Sequence, residues 1–78
     1  MKLTGALTFA NAHEVWAVLA PSAEGKASID VSGVTQVDSA GLALLSALKR
    51  RAGAQCQVIG LTPKLATLAS AYDVEALF

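Results

Sequence analysis

Residues 29–45 read Ile29-Asp30-Val31-Ser32-Gly33-Val34-Thr35-Gln36-Val37-Asp38-Ser39-Ala40-Gly41-Leu42-Ala43-Leu44-Leu45, and the fold turns on this stretch. An apolar strand runs into a short turn, and Asp38-Ser39-Ala40-Gly41 then opens a leucine-rich helix. The first N–H groups of a helix lack partners within it, and the helix dipole puts partial positive charge at that end. Ser39 therefore carries a hydroxyl to a point that favours negative charge, either a phosphate on the serine itself or a carboxylate from a partner. Asp and Ser are also the preferred N-cap residues, so Asp38 or Ser39 has the plainer task of satisfying those N–H groups. The two readings are compatible, since a capping hydroxyl is still a contact point.

Working outward, the helix extends from Ser39 to Ala52. Gly41, Leu44, Leu45, Leu48 and Ala52 fall on one side of it, and Gly53 stands where a C′ glycine ends a helix. Ahead of it, Ala27–Val31 reads as a strand, Ser32-Gly33 as a break, and Val34–Val37 as a further extended segment. Behind it, Gln57–Leu61 reads as a strand with Val-Ile at its centre. Thr62 at N-cap and Pro63 at N1 start a third helix whose apolar stripe is Leu65, Leu68, Ala69 and Tyr72. Near the start of the chain, Leu3–Thr8 alternates weakly as a strand, with Gly5 weakening it. Asn11 is the expected N-cap of a helix over Ala12–Leu19 that buries Ala12, Val15, Trp16 and Leu19, and Pro21–Gly25 is the expected turn. The tail Asp73–Phe78 either docks Leu77 and Phe78 or frays.

Strand and helix thus alternate three times in β-α-β-α-β-α order. This implies one α/β domain over residues 1–78 with a parallel-containing sheet and right-handed crossovers. In open α/β sheets, binding surfaces gather beyond the carboxyl ends of the strands. The loops Phe9–Asn11, Val34–Ser39 and Thr62–Pro63 are expected to meet there.

Bulk composition narrows the function. The 78 residues are 54% hydrophobic with few aromatics, enough for a compact core of Ala, Leu and Val. Six basic and six acidic residues cancel, so no strong field draws in nucleic acid or an anionic membrane. Lys49-Arg50-Arg51 is the last turn of a helix, where cations suit the dipole. Cys56 is the only cysteine, which excludes an intrachain disulfide and suits a reducing compartment; beside the strand at Gln57–Leu61 it reads as a buried apolar residue. No run approaches the ~20 apolar residues that span a bilayer, and no signal peptide is recognisable. The expected location is cytoplasmic, without membrane insertion.

The inventory for catalysis is thin. His13 is the only histidine and reads as a solvated helix residue. One Cys and one His make no metal set. Asp38 beside Ser39 is not a base–nucleophile pair on adjacency alone. Gly33 and Gly41 match no phosphate-loop or dinucleotide fingerprint. No cofactor is expected, and an enzyme is the weakest class.

The segment Ile29-Asp30-Val31-Ser32 … Val37-Asp38-Ser39-Ala40-Gly41-Leu42-Ala43-Leu44-Leu45 resembles the signature of the STAS domain family, and the order of elements extends the likeness over roughly residues 3–75. That family includes anti-sigma factor antagonists and the cytoplasmic ends of sulfate transporters. Gly41-Leu42-Ala43-Leu44-Leu45, the later Leu65-Ala66-Thr67-Leu68-Ala69 … Tyr72 and the bare, short domain are most similar to the small STAS subunits of Mla-type phospholipid-transport ABC complexes. The resemblance implies a small mixed sheet with helices packed on it and a non-enzymatic module that binds a cytoplasmic ABC ATPase. It also implies a position peripheral to the inner membrane through that partner.

By the same resemblance, Ser39 matches the phosphoacceptor of anti-sigma factor antagonists. An anti-sigma kinase is then the alternative partner. Those antagonists usually carry a second Ser where this chain has Ala40, which weakens that alternative. The expected contact surface is Asp38, Ser39, Ala40, Gly41 and Leu42, with Ser46 and Lys49 on the exposed face of the same helix and Asn11 and Thr62 from the adjacent loops. Family members carry another strand ahead of the one at Leu3–Thr8. Either it is absent here or it lies upstream, and its absence would leave a sheet edge open to a partner or a second copy.

Overall fold

The computed structural model describes residues 1–74 and 78. Its elements are β1 (Lys2–Leu7), α1 (Ala12–Ala23), β2 (Ser28–Val37), α2 (Ser39–Ala52), β3 (Gln57–Ile59) and α3 (Pro63–Ala71). The alternation expected from the sequence is the one observed. The three described strands form one parallel sheet in the order β1-β2-β3. Both crossovers step the same way across the sheet, so right-handed connections put α1 and α2 on one face, where they pack against each other.

The pairing register sorts the side chains. Lys2 lies beside Asp30, and Asp30 beside Ile59, on a face left to water. On the other face Leu3, Leu7, Ile29 and Val31 are buried under Leu45 and Leu48 of α2 and Leu65 of α3. A parallel sheet usually needs cover on both sides. Here the alternation of Ile29 and Val31 with Asp30 and Ser32 makes one side polar enough to stay open.

The break expected at Ser32-Gly33 is instead a pair of irregularities within one continuous strand. The register slips between Lys2/Thr4 and between Gly5/Ala6, so β2 carries extra residues against β1. Each slip resets the alternation, and Val34 and Val37 therefore reach the same buried face as Ile29 and Val31. Gly5 accommodates the second slip with φ +76.

Two element ends and one cap differ most from the sequence reading. Pro21 lies inside α1, which runs on to Ala23 rather than turning at Pro21. A proline there forfeits one helical hydrogen bond. The final turn is held by other means: Ala23 is fully buried, and the Arg51 guanidinium Nε donates to the Ala20 carbonyl at 2.6 Å. Strand β3 stops at Ile59, two residues early, where Gly60 takes φ +72. Asn11 precedes α1 but does not cap it with its side chain. Its Oδ1 accepts the Thr8 N–H at 2.9 Å and its Nδ2 donates to the Ala6 carbonyl at 2.7 Å, bracing the β1–α1 loop. Helix α2 has the expected bounds, and Gly53 closes it with its N–H donating to Lys49 O at 3.1 Å. In the tail, Phe78 is half-buried and packs on the core; Leu77 falls outside the described residues.

Candidate partner-docking site at the start of α2

The site is built on how α2 meets the sheet. Asp38 is the N-cap: its Oδ1 accepts the Gly41 N–H at 3.1 Å, and its backbone is extended. Its other oxygen, Oδ2, accepts the Phe9 N–H at 3.0 Å, so one carboxylate ties the helix start to the β1–α1 loop. These donations, Phe9 first and Gly41 second, hold the Asp38 carboxyl below the usual carboxylate range. Gly41 is buried because α2 presses directly on β1; a Cβ there would overlap the Leu7 carbonyl oxygen. Leu7 O also accepts the Asp38 N–H at 3.3 Å.

This arrangement separates the two readings of Ser39. Asp38 does the capping, and no hydrogen bond among the described residues uses the Ser39 hydroxyl. Ser39 is exposed at the first position of a 14-residue helix. Its flank is an open cleft of about 230 Å³ lined by Ser39, Leu42, Ala43, Ser46, Tyr72 and Val74. The cleft is mostly apolar, and its far wall comes from the end of α3.

The other expected surface residues sort as follows. Ala40 is half-buried and lines a groove between α1 and α2 with His13, Trp16 and Ala43. Gly41 and Leu42, expected on the contact surface, are buried: Gly41 against Leu7, and Leu42 at 3% exposure in the core. Ser46, expected on the exposed face, is also buried, and its Oγ donates to Leu42 O at 3.0 Å. Ser46 forms the floor of the Ser39 cleft and of a second one shared with Lys49, Arg50, Gly53 and Ala54. Asn11 belongs to the loop tied to Asp38, but its side chain is spent on Thr8 and Ala6.

Thr62 caps α3 as expected, its Oγ1 accepting the Leu65 N–H at 3.3 Å. The expected meeting of its loop with the other two is corrected by the register. Strand β3 ends level with Asp30, while β2 runs on to Val37. Because of its two bulges, that further length runs alongside only Lys2 to Leu7 of β1, five residues or roughly 17 Å, and the three residues from Ile59 to Thr62 reach at most about 11 Å. Beside Ser39 stand instead Tyr72 and Val74, the residues that follow α3.

Sequence reading missed two features. Tyr72 was placed on the apolar stripe of α3 but is 56% exposed; Phe9, at the loop tip bonded to Asp38, is 85% exposed. The signal for Phe9 was its place between a strand end and a helix cap. A further hollow of about 370 Å³ lies elsewhere, between the β1 edge and α1, and is lined mainly by Leu3, Leu7, Val15, Val18 and Leu19.

Among the described residues no three His, Cys, Asp or Glu side chains are grouped to hold a metal ion, and no helix is long and apolar enough to cross a membrane. His13 is exposed and Cys56 is buried. Fold and site together define a small α/β domain that presents a helix start on its surface and encloses no deep pocket there. A family model described as "Mlab, STAS domain" matches the chain over residues 1–78. The chain belongs to this MlaB-like STAS domain family, whose domains are generally non-catalytic. No curated protein matches the chain.

Proposed function

We propose that this chain is the STAS subunit of an Mla-type phospholipid-transport ABC complex and that it docks the cytoplasmic ATPase of that complex through the start of α2. The observation that carries the reading is the division of labour at the helix start. Asp38 caps the helix by accepting the Gly41 N–H, and Ser39 is left exposed with its hydroxyl available in a chain of MlaB-like STAS type. A hydroxyl both donates and accepts, so it can pair with a backbone or side-chain group of the ATPase. The open clefts along α2 supply apolar area around it, and the braced β1–α1 loop forms one rim. On this reading the chain works without a cofactor, in the cytoplasm, and reaches the membrane only through its partner.

The test is affinity isolation of the tagged chain from its native host, with mass spectrometry of the partners and of Ser39. The expected result is an ABC ATPase with its permease and an unmodified Ser39. Recovery of a kinase-like anti-sigma factor with phosphate on Ser39 would replace the transporter reading with a phospho-switch. There, close to two added negative charges would break a packed interface.

A further inference from the structure

We propose that Phe9 is the apolar anchor of this interface, seated in an apolar socket of the ATPase; the inference rests on the docking reading above. Single exposed apolar residues are ordinary on protein surfaces. Phe9 differs from the other exposed apolar side chains in how it is held. It is 85% exposed, against 73% for Val18 and 56% for Tyr72. Its own N–H donates to Asp38 Oδ2 at 3.0 Å. The Thr8 N–H before it donates to Asn11 Oδ1 at 2.9 Å, and Thr8 O accepts from Asn11 N and Ala12 N at 3.1 and 2.8 Å. The loop is therefore fastened on both sides of the ring, to α1 and to the start of α2.

A fastened backbone fixes where the Cα–Cβ bond of Phe9 points before any partner arrives. Binding then loses little freedom in the loop, and a rigid aromatic with few torsions suits the centre of an interface. The position agrees with this. Phe9 is bonded through its N–H to the residue next to Ser39, and Tyr72 lines a cleft that Ser39 also lines. Two exposed aromatics thus belong to the segments next to the exposed hydroxyl. A partner that fits has an apolar socket for the phenyl ring and a hydrogen-bonding group opposite Ser39.

Charge favours a protein over a lipid surface as the occupant. The stretch Thr8–Glu14 holds no Lys or Arg, and the adjacent Asp38 carboxylate is held ionised. An anionic leaflet attracts basic segments, and the loop that carries this ring is not one.

The experiment measures binding of the purified ATPase subunit of the host's Mla-type transporter to the chain and to three variants, Phe9→Ala, Phe9→Leu and Ser39→Ala. Vesicles containing phosphatidylglycerol serve as a second probe, and each variant's melting temperature is recorded. Phe9→Ala is expected to melt with the wild type and to bind the ATPase about tenfold or more weakly, with Phe9→Leu recovering most of the loss. If Phe9→Ala binds within about twofold of wild type while Ser39→Ala is weakened, the anchor is wrong and the docking reading stands. If the wild-type chain does not bind the ATPase, both fall. Phe9-dependent binding to the vesicles would overturn the protein socket.

Discussion

Helices α2 and α3 both start behind a residue whose side-chain oxygen accepts the N–H three positions on: Asp38 from Gly41 at 3.1 Å and Thr62 from Leu65 at 3.3 Å. The likeness ends with that bond. Asp38 is charged, and its second oxygen fastens a loop 29 residues away in the chain. Thr62 has one acceptor oxygen and uses it locally. Gly41 lets α2 lie directly on the Leu7 carbonyl, whereas α3 starts with Pro63 beyond a strand of three residues. A helix start bonded to the sheet and to a neighbouring loop is a rigid platform. A helix start bonded only to itself is a cap. The exposed hydroxyl of Ser39 stands on the platform.

The largest expected effect comes from pushing the platform off the sheet. In Gly41→Ala the added methyl meets Leu7 backbone, which overpacks the contact at a cost of about 3 kcal/mol. Better helix propensity returns about 1 kcal/mol. The net loss of about 2 kcal/mol lowers the melting temperature by roughly 8–16 °C in a domain of this size. Thermal unfolding followed by circular dichroism measures it. An unchanged melting temperature would mean that α2 is free to lift from β1, and the contrast with α3 would lose its basis.

The two caps come next. Thr62→Ala removes one local bond and is expected to cost about 1 kcal/mol. Asp38→Ala releases both Gly41 and Phe9 and is expected to cost more than Thr62→Ala in parallel denaturant titrations. Equal losses would show that the bond to Phe9 adds nothing and that Asp38 is an ordinary cap.

These contrasts also mark what the sequence could reveal. The bounds of α2 were legible because Asp38, the leucine spacing and Gly53 all agree, and local consistency of that kind is what periodicity reads well. The continuity of β2 was not. Ser32-Gly33 looks like punctuation, and only pairing with β1 turns it into a bulge that keeps Val34 and Val37 inward. Pro21 read as a turn because the buried Ala23 and the Arg51 bond that hold the end of α1 are tertiary. Within the site, Ser39 and Asp38 were both visible, yet which of them caps was not, since either residue type serves. Leu42 and Ser46 were assigned to the surface because helical spacing does not say how wide the buried face is; here it takes in Gly41, Leu42, Leu44, Leu45 and Ser46. The register that sets Thr62 back from Ser39 lies in strand pairing, which no local pattern carries.

A smaller and more specific contrast is pH. Asp38 titrates below its ordinary value of 3.8 because the folded state donates N–H groups to its charged form. A depressed folded-state value contributes stability above the unfolded value, and that contribution is lost as pH falls through the folded one. Unfolding free energy is therefore expected to drop below about pH 4, less steeply in Asp38→Asn. Asp30, held low by the Ser32 N–H, retains part of the slope in that variant. Thr62→Ala, which removes no ionisable group, should leave the pH profile parallel to wild type. Identical slopes in Asp38→Asn and wild type would remove the charge from the account of the platform.

Ser39→Ala is expected to change stability least, within about 0.5 kcal/mol, because an exposed hydroxyl without a partner leaves nothing unsatisfied when removed. The same variant carries the central claim. Its affinity for the purified ABC ATPase, measured beside its melting temperature, is predicted to fall about tenfold or more while the fold is unchanged. A Ser39→Ala chain that binds the ATPase at full strength would contradict the assignment of the α2 start as the docking site.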